Sequence, residues 1–377
     1  MSDAIDTFLS ERIEAGDFPS AVYLAAEKGK IVLHDALGLA VVEPERIEAR
    51  RDTIYDLASL TKVLVTGPLM AMLVERGKLA LDDAVSGHLA EFDTSEKRSI
   101  TVGQLLTHTS GLPAWRPLYR IAKGKADVRR SIADTPLEYA TGERVVYSDL
   151  NFLTLQALIE SVTNRELDDV ARDLILMPLS LNDTGFGPVA DRHRVAASET
   201  GNAFERQTCI EKGHSVESES GLRDPVATAS GSDAVIWGDV HDGNAFFLGG
   251  VAGHAGLFST ADEVFRIAQQ FLPNYSQLFE PATCELFRTN FTPEMNEHRS
   301  FAFQLASTPK SAAGTQMSPQ SFGHLGFTGT SMWIDPVKER VFILLTNRTH
   351  NHSLPFVNLN SVRRRFHDLA NEILNRK

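Results

Sequence analysis

The stretch Thr53-Ile54-Tyr55-Asp56-Leu57-Ala58-Ser59-Leu60-Thr61-Lys62 reads as a short strand that delivers a serine to the start of a long apolar helix running to about Gly77. Ser59 and Lys62 are three residues apart, so one helix face carries both. A serine at a helix N-terminus has unpaired backbone N–H groups beside it, a ready cradle for an oxyanion. A lysine packed against apolar helix loses hydration, so its pKa is expected to fall and its amine to act as a base toward the serine. Gly67-Pro68 predicts a kink two turns beyond this chemistry. Taken alone, Ser-x-x-Lys also fits a helix-capping serine followed by a surface lysine. A second copy, Ser307-Thr308-Pro309-Lys310, carries proline inside it and reads as a turn.

Two further stretches give Ser59 its context. Tyr147-Ser148-Asp149-Leu150-Asn151 precedes an apolar helix over 150–162. A tyrosine beside a cationic lysine can share or lose its proton and so act as a general base, whereas Ser148 and Asp149 alone fit an ordinary helix start. His324-Leu325-Gly326 opens a predicted strand over 323–335 and leads into Phe327-Thr328-Gly329-Thr330. Glycine there lets another backbone approach closely, and the Phe327 N–H would complete an oxyanion hole with that of Ser59.

Ser-x-x-Lys, then Tyr-x-Asn, then Lys/His/Trp-x-Gly on a strand is the order of motifs in the serine β-lactamase and penicillin-binding superfamily. The chain resembles its class C branch and the related family VIII esterases. Three other stretches resemble the same branch: Leu105–Leu112, Gly256–Ala261, and Trp333-Ile334-Asp335-Pro336. The resemblance implies Ser59, Lys62 and Tyr147 as catalytic residues, with Asp149, His324 and Gly326 at the substrate. It also implies that His108, in Thr107-His108-Thr109-Ser110-Gly111, is structural. Asp149 stands where many members have asparagine, and its charge should favour protonated Lys62. His324 stands where β-lactamases commonly have lysine, which removes a permanent cation for a substrate carboxylate. Val240–Ala245 and Gly249–Gly256, with Ala197-Ser198-Glu199, resemble a subgroup that includes N-acetylmuramyl-L-alanine amidases. Glu199, Asp242, Asn244 and His254 then either line the cleft or pin the loops that carry them.

The helix over 3–15, the hairpin around Lys28-Gly29, the apolar strand over 340–347 and the helix Leu359–Ile373 predict an α+β fold. An antiparallel sheet with terminal helices would be built from residues 1–69 and 246–377, and 70–245 would form an inserted, mostly helical domain with long loops over 201–245. A net charge of -12 argues against nucleic acid. The one dense basic run, Arg363-Arg364-Arg365, reads as a solvated helix face. No stretch reads as a membrane span or a secretory signal, so a cytoplasmic location is expected. Cys209 and Cys284 read as free buried thiols, and the 12 histidines show no zinc spacing, so no metal or organic cofactor is expected. The first expectation is a carboxylesterase acting on short acyl esters through an acyl-serine. Amidase or peptidase action on peptidoglycan fragments, or weak β-lactamase activity, is the alternative. A binding or scaffold protein on the same fold is the reading from another class. The partner is a small ester or amide, and the oligomeric state is open.

Overall fold

A computed structural model describes residues 3–215 and 235–376. The helix Asp3–Glu14 leads into β1 (Ser20–Glu27) and β2 (Lys30–Val41). Lys28 and Gly29 join these strands with φ of 50° and 73°, the left-handed pair that a two-residue hairpin turn requires. β3 (Ile47–Glu48) pairs with β2. β4 (Tyr55–Asp56), β5 (Gly185–Phe186) and β6 (Leu257–Ser259) make a separate small sheet that delivers Ser59. β7 (Gln304–Leu305), β8 (Phe322–Leu325), β9 (Ser331–Asp335) and β10 (Arg340–Thr346) complete the main sheet. Its order is β3-β2-β1-β10-β9-β8-β7, so the first strand of the chain lies against the last.

β1 and β10 are buried on both faces because alternate residues enter two different cores. Val22, Leu24, Val341, Ile343 and Leu345 face the large core shared with the helical half. Tyr23, Phe342 and Leu344 face Ile5, Leu9, Phe366 and Leu369 of the terminal helices. The continuous apolar run at 341–345 follows from this two-sided burial. The mixed α+β architecture, an antiparallel sheet with helices, matches the sequence expectation.

Several expectations need correction. The strand over 323–335 is two antiparallel strands, with the Gly326 N–H donating to Thr330 O at 2.8 Å across the turn. The helix after Ser59 opens with a π-helical turn over Lys62–Thr66, closed by Gly67 N–H to Lys62 O, and continues as an α-helix over Gly67–Glu75. Pro68 has no N–H to donate, and the wider turn directly precedes it. The segment Ala58–Glu75 is long and apolar enough to span a membrane, contrary to the sequence reading, but it is mostly buried inside the fold. Arg363 does not lie on a solvated face; it is buried. The stretch over 201–245 contains the helix Ala203–Glu211 and the short helix Gly243–Phe247. Its Ser/Gly-rich parts at 217–221 and 230–232 lie outside the described residues. Cys209 and Cys284 are buried and joined by no disulfide.

Candidate active site

Ser59 stands directly after Ala58, whose φ is 47°. An alanine in this left-handed region is strained, and the surroundings hold it there. Asp56 Oδ1 accepts the Ala58 N–H at 2.8 Å, and Thr61 Oγ1 donates to Ala58 O at 2.7 Å. The sharp corner points the serine into a cavity of about 540 Å³.

Lys62 is completely buried one turn later. Its Nζ donates to Ser59 Oγ at 3.0 Å, Asp149 Oδ1 at 2.7 Å and His254 O at 3.0 Å. An ammonium has three N–H donors, and all are used. Burial, the largest influence, pushes the Lys62 pKa down. The Asp149 charge, with Tyr147 and the hydrogen bonds from both, outweighs it, so the net shift is upward. The depressed pKa expected from the helix alone is therefore corrected: Lys62 rests as an ammonium.

Tyr147 precedes the helix Asp149–Thr163, whose N-cap is Ser148 rather than Asp149. Its ring lies 4.8 Å from Lys62 Nζ and 5.6 Å from the Arg299 guanidinium carbon, measured to the ring centroid. The Tyr147 hydroxyl is buried and has no well-aligned hydrogen bond among the described residues. Burial raises its pKa. Lys62 and Ser59 lie near enough to pull in the opposite direction without winning. The resting pair is thus an ammonium and a phenol around Ser59 Oγ. The base appears when this pair loses one proton, which belongs to the pair and to neither residue alone.

The Ser59 and Phe327 amides have no hydrogen-bond partner among the described residues. His324 is buried and donates from Nδ1 to Leu325 O at 2.9 Å, which leaves Nε2 unprotonated. Burial, then Arg299 and Lys62, hold its pKa well below the ordinary histidine value. His108 accepts the Ser148 N–H on Nδ1 at 3.0 Å and supports the tyrosine from behind.

Of the other expected residues, Asp149 and Asp242 line the cavity with Gly326. Glu199 accepts from His241 and from the Phe204 N–H, and Asn244 joins Arg116 O to the Leu118 N–H. Both pin loops and neither lines the cavity. Asp242 caps the short helix Gly243–Phe247 and accepts from His254 Nε2 at 2.9 Å. His254 is buried behind Lys62. Asp149, Asp242 and His254 bring ligand-type atoms within 4.8 Å of one another, but Lys62 already supplies the cation on Asp149. Gly326 is needed for packing: a Cβ there would meet Thr330 Oγ1 at 2.0 Å and Leu57 O at 2.6 Å.

Sequence reasoning missed three arginines. Arg299, Arg348 and Arg363 all line the cavity. Arg299 and Arg348 stand in no motif, Arg363 belongs to the basic run read as a solvated helix face, and only the fold gathers the three.

A family model described as Beta-lactamase matches residues 5–362. A protein of Escherichia coli strain K12 named "Putative D-alanyl-D-alanine carboxypeptidase" is 31% identical over 373 residues, covering 92% of this chain and 82% of that protein. The hydrolase EstCE1, described as having promiscuous acyltransferase activity, superposes with a TM-score of 0.73 at 22% identity, covering 98% of each chain. A class C beta lactamase superposes with a TM-score of 0.71 at 16% identity, covering 100% of this chain and 98% of that one.

Proposed function

This chain belongs to the beta-lactamase family of serine hydrolases, and from that premise we propose that it cleaves amide bonds next to a free carboxylate, in the manner of a carboxypeptidase. Ser59 Oγ attacks the scissile carbonyl, and its proton passes to the Lys62–Tyr147 pair once that pair is in its basic form. The Ser59 and Phe327 N–H groups hold the tetrahedral oxyanion. Tyr147 returns the proton to the departing amine, and the same pair then activates the water that frees Ser59.

The observation that carries the carboxylate preference is Arg299. It is 4% exposed, lines the cavity beside Tyr147 and His324, and among the described residues has one ion-pair partner, Glu297, at 2.6 Å. Its Nε and Nη1 have no partner among the described residues. A buried guanidinium with unused donors is costly unless an anion completes it. The histidine at 324 removes one cation, and Arg299 puts a permanent one close by. The name of the 31% identical relative supports this reading.

A second reading, esterase action on short acyl groups, is favoured by the apolar wall of Trp115, Phe204, Leu325 and Phe327. The two separate on an N-acyl-D-alanyl-D-alanine peptide, its C-terminal amide, and p-nitrophenyl acetate. We expect the free peptide to be preferred over its amide. Arg299→Gln should raise its KM by about ten- to a hundredfold, the worth of a charge-assisted bond, with little effect on the acetate. Ser59→Ala should end all three reactions. A wild type that cleaves only the simple ester leaves the esterase reading in place.

A further inference from the structure

The two halves of the oxyanion hole come from chain segments far apart in sequence, and their separation must be fixed to a fraction of an ångström for both N–H groups to reach one oxygen. The structure assigns this task to a clamp around residues 326–330, with Arg363 as its main positioning residue. The inference rests on the reading of the Ser59 and Phe327 amides given above.

Arg363 lies on the terminal helix Asn360–Leu374 and is buried. Its Nη2 donates to Gly326 O at 2.9 Å and to Thr330 O at 3.0 Å, and Nη1 donates to Asn360 Oδ1 at 3.1 Å. Gly326 C=O and Phe327 N–H are the two ends of one peptide unit. In a planar trans peptide they point in opposite directions. A guanidinium that fixes the carbonyl therefore fixes the direction of the Phe327 N–H. A cation on the carbonyl also polarises the unit and strengthens its N–H as a donor.

The next carbonyl is held as well. Arg348 Nε donates to Phe327 O at 2.6 Å, its Nη1 donates to Val357 O at 2.9 Å, and its guanidinium lies 4.8 Å from the Phe327 ring centroid. Two threonines tie the same turn to the strand that carries Ser59: Thr328 Oγ1 donates to Asp56 O at 2.7 Å, and Thr330 Oγ1 donates to Leu57 O at 3.2 Å. Arg348 and Arg363 line the cavity but turn most of these donors onto backbone carbonyls of the 326–330 turn and Val357, with Arg363 Nε left without a partner among the described residues, whereas Arg299 makes no such backbone bond among them. Catalysis would then depend on Arg363 through geometry and polarisation, without contact between Arg363 and substrate.

The test uses p-nitrophenyl acetate and its thionoester, with active sites counted by stoichiometric fluorophosphonate labelling of Ser59. Sulfur is larger than oxygen and a weaker acceptor, so an oxyanion hole built for oxygen favours the ester. We expect Arg363→Met to lower kcat per labelled site by about ten- to a hundredfold, somewhat less than loss of a whole donor. KM should stay within about twofold, and the ester-over-thionoester preference should shrink. Arg363→Lys should recover part of both. Arg365→Ala, on the exposed side of the same helix, should change nothing. If Arg363→Met does not fold, Thr328→Val must give the same signature. Full kcat per labelled site with an unchanged preference in these variants overturns the clamp. Absence of any ester preference in the wild type overturns the oxyanion assignment itself, and the clamp with it.

Discussion

Lys62 spends all of its N–H donors on Ser59, Asp149 and His254, so the carboxylate of Asp149 decides when this site becomes basic. Asp149 raises the pKa of Lys62 and also that of Tyr147. Asp149→Asn removes both influences while keeping the shape. The rising limb of kcat/KM against pH, which reports the free enzyme's base, should therefore move to lower pH. A limb that stays in place or moves up would uncouple Asp149 from the base. Ser59, Lys62, Tyr147 and Asp149 were legible because a helix turn and a motif order bring them together. Arg299 was not: its signal is an unpaired guanidinium, which exists only once the fold has buried it. His324 was legible as a neutral side chain, but the sequence hid how firmly it is held so. With Arg299 and Lys62 both opposing protonation, lowering the pH to 6 should not switch its charge or the enzyme's selectivity.

Among the elements, the start of the helix Asp149–Thr163 sets Asp149 in its first turn and Tyr147 just ahead of its N-cap. Ser148 caps it, accepting from the Asn151 N–H at 3.4 Å and donating to Pro113 O at 2.6 Å. Ser148→Ala should lower stability by about 1 kcal/mol, the usual worth of a cap, read as a shift in the urea midpoint at constant slope. It should also depress kcat, since the Tyr147 hydroxyl has no well-aligned bond of its own to hold it. The hairpin at Lys28-Gly29 and the terminal helix were legible because turn chemistry and a 3.6-residue period are local signals. The π-helical turn at Lys62–Thr66 and the division of 323–335 into β8 and β9 were not. The first leaves no local pattern, whereas the second carries a turn glycine, Gly329 at φ 106°, that the apolar reading of the strand passed over.

At the scale of the whole molecule, β1 and β10 lie side by side, so strands from both ends of the chain close one sheet and the core seals many polar groups inside it. Burying histidine in its neutral form makes stability depend on pH. His108 and His324 are both held well below 6.5, and His367 is pushed down to about 3, with burial the leading cause in each. Unfolding frees these rings to take up protons below about pH 6.5, where the folded protein does not. The unfolded state then binds more protons, so stability falls as the pH is lowered through this window. Each such ring contributes up to about 1.4 kcal/mol per pH unit. Raised groups act in the opposite sense, among them the carboxyls of Asp56 and Glu160, lifted chiefly by burial. Glu205, raised to about 8 by burial first, stays protonated in the fold and offsets one histidine below pH 6.5. His241 is raised despite burial, chiefly through its bond to Glu199, and acts above that range. His34, His214, His350 and His352 are lowered as well, again chiefly by burial, so the balance favours loss on acidification. The urea midpoint should fall between pH 6.5 and 5, and His367→Asn should flatten that fall by up to one proton. A midpoint that holds or rises over this window would mean that these rings are protonated inside the fold.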